Sequence, residues 1–198
     1  MANVSAIYSV GESIATYLSR SYPEPLRTQY PCEFSLLSSG ELIDTSDYGG
    51  TDLSKLSLFL YRVTMNEHLR NTRKSSGVLD SNVPLALDLH YLLTVWASSA
   101  AAEHTILAWT MRQIFLNPIL DMAFLSAEGG WNAGNVVQLF PAELSNEDVM
   151  RIWDALEPPY HLSVSYVARV VRIDADRQDA AEPVIATRFS YRDGTGAL

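Results

Sequence analysis

The clearest periodicity in the chain is two. Between Pro84 and Trp96, the residues Leu85, Leu87, Leu89, Tyr91, Leu93 and Val95 are all large and apolar, and Asp88, His90 and Thr94 interrupt the positions between them. Side chains alternate across a β-strand, so this pattern predicts a central strand with one face wholly in a core. A helical reading competes, with Pro84 in a first turn and Leu85, Leu89, Leu92 and Trp96 on one stripe. The strand template matches every odd position and is preferred. Cys32, Phe34 and Leu36 alternate with Glu33 and Ser35 and predict a first strand; Leu56–Val63, apolar on most of both faces, predicts a second, central one. Val136–Phe140 reads as a short strand and Tyr160–Ile173 as a long one. In the latter, Leu162, Val164, Tyr166, Ala168 and Val170 share a face before the apolar phase moves to Val171 and Ile173, which predicts a β-bulge near Val170–Val171. Val184–Tyr191 would add an edge strand, and residues 191–198 a disordered tail.

A period near 3.6 appears in three places. Residues 3–20 place Val4, Ile7, Tyr8, Gly11, Ile14, Ala15 and Leu18 on one stripe, with Asn3 as a cap and Ser21–Pro25 as the stop. A helix opening at Ser98–His104 runs to about Leu116, with Glu103, Leu107, Thr110, Met111 and Ile114 on one side, and ends at Asn117-Pro118. Leu144–Val149 is a third start. Ser145 is its N-cap, Asp148 at N3 gives a short form of the capping box, and Leu144 and Val149 form a hydrophobic staple. Val149, Ile152, Trp153 and Leu156 follow on one face, closed by Pro158-Pro159. Residues 38–52 and 64–83 read as long surface connections, and 129–134 as a turn with an exposed or half-packed Trp131. The pattern is that of a single α/β (α+β) domain over residues 1–190, with about five to six strands and about three helices.

Composition narrows the function. At 198 residues the chain suits one domain with a sizeable core. No window approaches the roughly 18 to 20 apolar residues of a membrane span, and the start Met1-Ala-Asn-Val-Ser has no signal-peptide character. The single Cys32, read as a small core residue, fits a reducing cytoplasm. A net charge of -9 argues against nucleic acid as a partner. Against that background the 64–83 connection stands out, carrying Arg70, Arg73 and Lys74 against Glu67 and Asp80, while residues 41–52 and 174–182 are acidic.

Candidate chemistry is sparse. Asp88 and His90 share a strand face, and Glu103, His104 and His161 lie elsewhere, but no metal-ligand motif joins them. There is no G-x-S-x-G elbow, Cys32 has no neighbouring histidine, and Gly49-Gly50 and Gly129-Gly130 match no phosphate-binding loop. No catalytic residue, metal ligand or cofactor is expected, and the tryptophans read as core anchors.

The segments Leu60–Asn71, Pro84–Thr94 and Glu103-His104, followed by Trp153–Leu156 and Leu162–Asp174, are together similar to one family. Over about residues 5–190 the chain resembles the cap, or tube-terminator, family of extracellular contractile injection systems, which is related in role to phage tail terminators. The resemblance implies a tail-terminator-like domain with a mixed sheet and no enzymatic activity. It implies a six-fold ring of copies at the distal end of a phage tail-like particle, released or anchored, that ends tube and sheath growth. The implied partners are a second copy, the inner-tube protein and the sheath protein, without nucleic acid or membrane insertion. A ring needs two different complementary patches on each subunit. Arg62, Asn66, Arg70, Asn71, Arg73 and Lys74, and Asp44, Asp47, Asp174 and Asp176, are candidates for such patches, between subunits or against a tube protein. Asp88, His90 and Ser145 are expected to serve the structure. Two alternatives stay open: a small ligand-binding domain or enzyme with a pocket near Asp88, His90 and Trp96, and an adaptor for cargo or membrane anchoring.

Overall fold

The computed structural model describes residues 2–43, 53–66 and 84–174. Six strands form one sheet: β1 (Cys32–Leu37), β2 (Ser54–Met65), β3 (Leu85–Trp96), β4 (Ile119–Leu120), β5 (Val137–Pro141) and β6 (Ser163–Ile173), in the order β1-β2-β3-β6-β5-β4. β1 and β2 are parallel and the other pairs antiparallel, so the sheet is mixed. Three longer helices, α1 (Ala6–Ser21), α4 (Ala100–Leu116) and α5 (Asn146–Ala155), accompany two short ones, α2 (Glu24–Gln29) and α3 (Ser39–Ile43).

β3 lies between β2 and β6 and divides the interior in two. Its odd side chains Leu87, Leu89, Tyr91, Leu93 and Val95 enter a cluster with Val10, Ile14 and Leu18 of α1 and Ile106 and Ile114 of α4. The even side chains Leu92 and Trp96 join Leu37, Leu42 of α3, and Trp153 and Leu156 at α5 on the opposite face. Strand alternation therefore sorts the helices: α1 and α4 onto one face, α3 and α5 onto part of the other.

Two bulges bend the sheet. Tyr61 is the additional residue where β2 passes β3, between Leu60↔Tyr91 and Arg62↔His90. In β6 the register slips between Ala168 and Val171, and Val170 has a φ of 48°. A β-branched residue in the left-handed region is strained, and the bulge expected at Val170–Val171 is the reason it sits there.

Several local expectations need correction. α1 begins at Ala6, because Asn3 closes a turn instead: its Oδ1 accepts from the Ser5 N–H at 2.8 Å. Val4 and Tyr8 are exposed, and the buried side of α1 includes Ser9 and Ser13. On α4 Leu107, Thr110 and Ile114 are buried as expected, together with Ala102 and Ile106, while Met111 is left outside. β2 is longer than expected at both ends, taking Thr64 and Met65 from the presumed connection, while β6 begins at Ser163. The 38–52 stretch opens with α3, whose cap is a Ser38/Glu41 capping box: the Ser38 N–H donates to the Glu41 carboxylate at 2.7 Å and Ser38 Oγ accepts from the Glu41 N–H at 3.4 Å. Pro23 and Pro25 end α1 and also start α2, since proline suits a first helical turn.

Trp131 is the largest correction. It is buried, and its indole N–H donates to Ser9 Oγ at 3.0 Å. Ser9 Oγ donates to the Ser126 carbonyl and Ser13 Oγ accepts the Ser126 N–H, so two α1 serines fasten the 126–131 segment to the helix. Gly129 has no room for a Cβ, which would collide with the Trp131 ring. The α5 start follows the sequence: Ser145 Oγ accepts from the Asp148 N–H at 3.1 Å, a cap worth about 1 kcal/mol. The Asp148 carboxylate takes the Ser145 hydroxyl at 2.7 Å, where a full capping box would take the backbone N–H.

Candidate functional site

α3 and α5 cover only the Leu92–Trp96 end of the second sheet face. Toward the start of β3 the same face carries a cleft of about 880 Å³, and it crosses four strands. β2 supplies Arg62 and Thr64, β3 supplies Asp88 and His90, β6 supplies Arg169 and Arg172, and β5 supplies Gln138 and Phe140. The pairing brings these together: Arg62 lies opposite His90, Thr64 opposite Asp88, and Gln138 opposite Arg169.

The β6 bulge decides the charge of this cleft. Residues three apart on a regular strand point to opposite faces. The additional residue in β6 resets the phase, so Ala168 and Val171 both enter the core while Arg169 and Arg172 both line the cleft. Asp88 accepts from the Asn66 amide at 3.1 and 3.3 Å and pairs with Arg169 Nε at 3.6 Å. The Arg169 guanidinium also lies 6.0 Å from the Phe140 ring centre, within cation–π range. His90 Nε2 is 3.2 Å from Thr64 Oγ1, and its ring packs edge-on to Tyr61. Asp88 thus bonds Asn66 and Arg169, and His90 meets Thr64 and Tyr61.

Burial, then the Arg62 and Arg169 charges, holds His90 below its ordinary pKa, against the opposing pull of Asp88. A depressed histidine pKa means the unfolded chain binds the proton more readily. The His90 contribution to stability is therefore complete above about pH 6.5 and declines as pH falls through the window below it. Thermal unfolding followed from pH 7.5 to pH 5 should show this decline, and His90→Gln should reduce it, leaving the part due to His161, which burial also holds below its ordinary pKa; an unchanged slope in the variant would contradict the assignment.

Cys32 lies on the edge strand β1 and packs beside the helical core. Burial pushes its thiol up to about 12, so it stays protonated at neutral pH and is a poor nucleophile. Among the described residues no group of three or more His, Cys, Asp or Glu side chains is placed to hold a metal ion, and no helix is long and apolar enough to cross a membrane.

Of the candidate interface residues, Arg62 and Asn66 meet in the cleft. Asp174 does not: its N–H donates to the Ala2 carbonyl at 3.0 Å and its carboxylate accepts from the Ala2 N–H at 3.1 Å. Asp44, Asp47, Arg70, Asn71, Arg73, Lys74 and Asp176 lie outside the described residues, as do the expected strand Val184–Tyr191 and the 191–198 tail. Alternation alone does not point to Arg169 and Arg172, which also line the cleft; the bulge between them is the signal, because it implies a common face.

Residues 9–187 match the Pvc16 N-terminal domain family. The chain belongs to that family. Its fold is also found in two solved structures. One is a PVC sheath/tube terminator of an extracellular contractile injection system in the extended state, with a TM-score of 0.57 at 19% identity, covering 97% of this chain and 65% of that one. The other is the tube-terminating cap of the anti-feeding prophage, with a TM-score of 0.55 at 16% identity, covering 96% of this chain and 62% of that one. The Pvc16 N-terminal domain seen here therefore spans less than two thirds of either relative. No curated protein matches the chain in sequence.

Proposed function

We propose that the chain is a structural cap of a contractile injection system particle. The observation that carries the reading is the match of residues 9–187 to the Pvc16 N-terminal domain family. The fold held in common with a sheath/tube terminator and a tube-terminating cap supports it. On this reading six copies form a ring on the last inner-tube layer, stop tube and sheath polymerisation, and tie the sheath end to the tube. The chain acts by binding and has no catalytic step, and it is assembled in the cytoplasm into a phage tail-like particle. In the cleft, Asp88 pairs with Arg169 and His90 Nε2 meets Thr64 Oγ1 across neighbouring strands.

Electron microscopy of particles carrying an affinity label on this chain tests the assignment. The label is expected at one end of each extended particle, beyond the last sheath layer. Label along the whole length, or none on purified particles, would contradict it.

A further inference from the structure

We propose that the arginine-lined cleft receives the acidic stretch 174–182 of a neighbouring copy of this chain. The inference rests on the cap reading, which calls for a ring and hence for a donor surface and a different acceptor surface on every subunit.

The acceptor is concave and cationic in a chain whose net charge is -9. Arg62, Arg169 and Arg172 line it, and Asp88 is the sole carboxylate among its described lining residues. Asp88 is already taken by Asn66 and Arg169. Arg62 and Arg172 form no ion pair among the described residues, although both are exposed on the floor of one cleft. Guanidinium groups are matched by carboxylates, which they take in a two-point fork. The sequence offers such a ligand directly after β6, where Asp174, Asp176, Asp179 and Glu182 outweigh Arg177.

The position of Asp174 argues for a neighbouring copy over the same chain. Its two hydrogen bonds tie it to Ala2, which is buried with the α1 and α4 core on the face opposite the cleft. The first acid of the stretch is thereby held by Ala2 and forms no ion pair with the arginines of its own subunit among the described residues. A contact from the end of β6 on one copy to the cleft of the next is head-to-tail, the type that closes into rings. It is also electrostatic, so it weakens with salt.

Charge exchange in the full-length chain tests this, read by sedimentation velocity at low ionic strength. Arg62→Glu with Arg172→Glu reverses the cleft; Asp176→Lys, Asp179→Lys and Glu182→Lys reverse the stretch. The unaltered chain is expected to self-associate, and each reversed chain to do so at least about tenfold more weakly. An equimolar mixture of the two should recover association, because each then meets its complement on the other. Arg62→Gln with Arg172→Gln, compared by thermal unfolding, separates lost charge from lost fold: it should show the same weakening with an unchanged melting temperature. Undiminished association in either reversed chain, or an unaltered chain that stays monomeric, overturns the proposal. So does a mixture that fails to recover, since that places the contact within one chain. If the label still marks the particle end in such a case, the contact is wrong and the cap reading stands.

Discussion

Leu89→Ala is expected to lower the unfolding free energy by about 3 kcal/mol, whereas Leu85→Ala, on the same face of the same strand, should cost less than about 1 kcal/mol. Leu89 is 0% exposed and lies between Val63 of β2 and Ala168 of β6, beneath the α1 and α4 side chains. Truncating it removes transferred apolar surface and leaves a cavity that a central strand, paired on both sides, cannot close. Leu85 begins the strand and is 43% exposed, so solvent fills the space its side chain leaves. Urea titration of the two variants checks the contrast. Equal losses would contradict the division of β3 into a buried centre and an open end.

Trp131→Ala should be the more severe substitution, costing about 3–5 kcal/mol, with Trp131→Phe keeping most of the packing and losing about 1 kcal/mol. The indole fills a place beside α1 and hydrogen-bonds Ser9, and the adjoining Gly129 carbonyl accepts the Asn3 N–H at 3.0 Å. Alanine therefore opens a cavity and also loosens the attachment of the 126–131 segment to the N-terminus. Thermal unfolding distinguishes this from the surface-turn reading. A change within about 0.5 kcal/mol for Trp131→Ala would mean that the tryptophan contributes no more than an exposed residue does.

The contrast between these two residues shows what the sequence makes legible. Leu89 is marked by alternation alone, because a strand between two others must bury one face and its side chains obey a fixed period. The same logic locates the β6 bulge, where a change of apolar phase is itself the signal. Trp131 lies in a segment without periodicity. Its burial depends on Ser9 and Ser13, two small polar residues of α1 whose hydroxyls meet partners more than a hundred positions away. Helical spacing alone does not reveal such a partner: the buried side of α1 keeps Gly11, Ile14, Ala15 and Leu18 but also takes in Ser9 and Ser13, while Tyr8 is exposed.

The cleft was partly legible for a related reason. Asp88 and His90 are visible as polar interruptions on an apolar strand, and Arg62 and Asn66 were singled out within the Leu60–Asn71 block. What the local pattern does not supply is strand order. β6 is distant from β3 in sequence and adjacent in space, and it brings Arg169 and Arg172 beside them. The charge of the site is therefore a product of topology, with the bulge at Val170 setting the phase.

The most direct measurement of the cap role is the length distribution of particles assembled without this chain, taken by electron microscopy beside particles assembled with it. If the chain terminates the tube and secures the sheath, its absence should broaden the narrow length distribution, with overlong tubes or tubes that have lost sheath at one end. Supplying the chain from a second copy of its gene should restore uniform lengths. Particles that remain uniform, fully sheathed and stable without it would contradict the account.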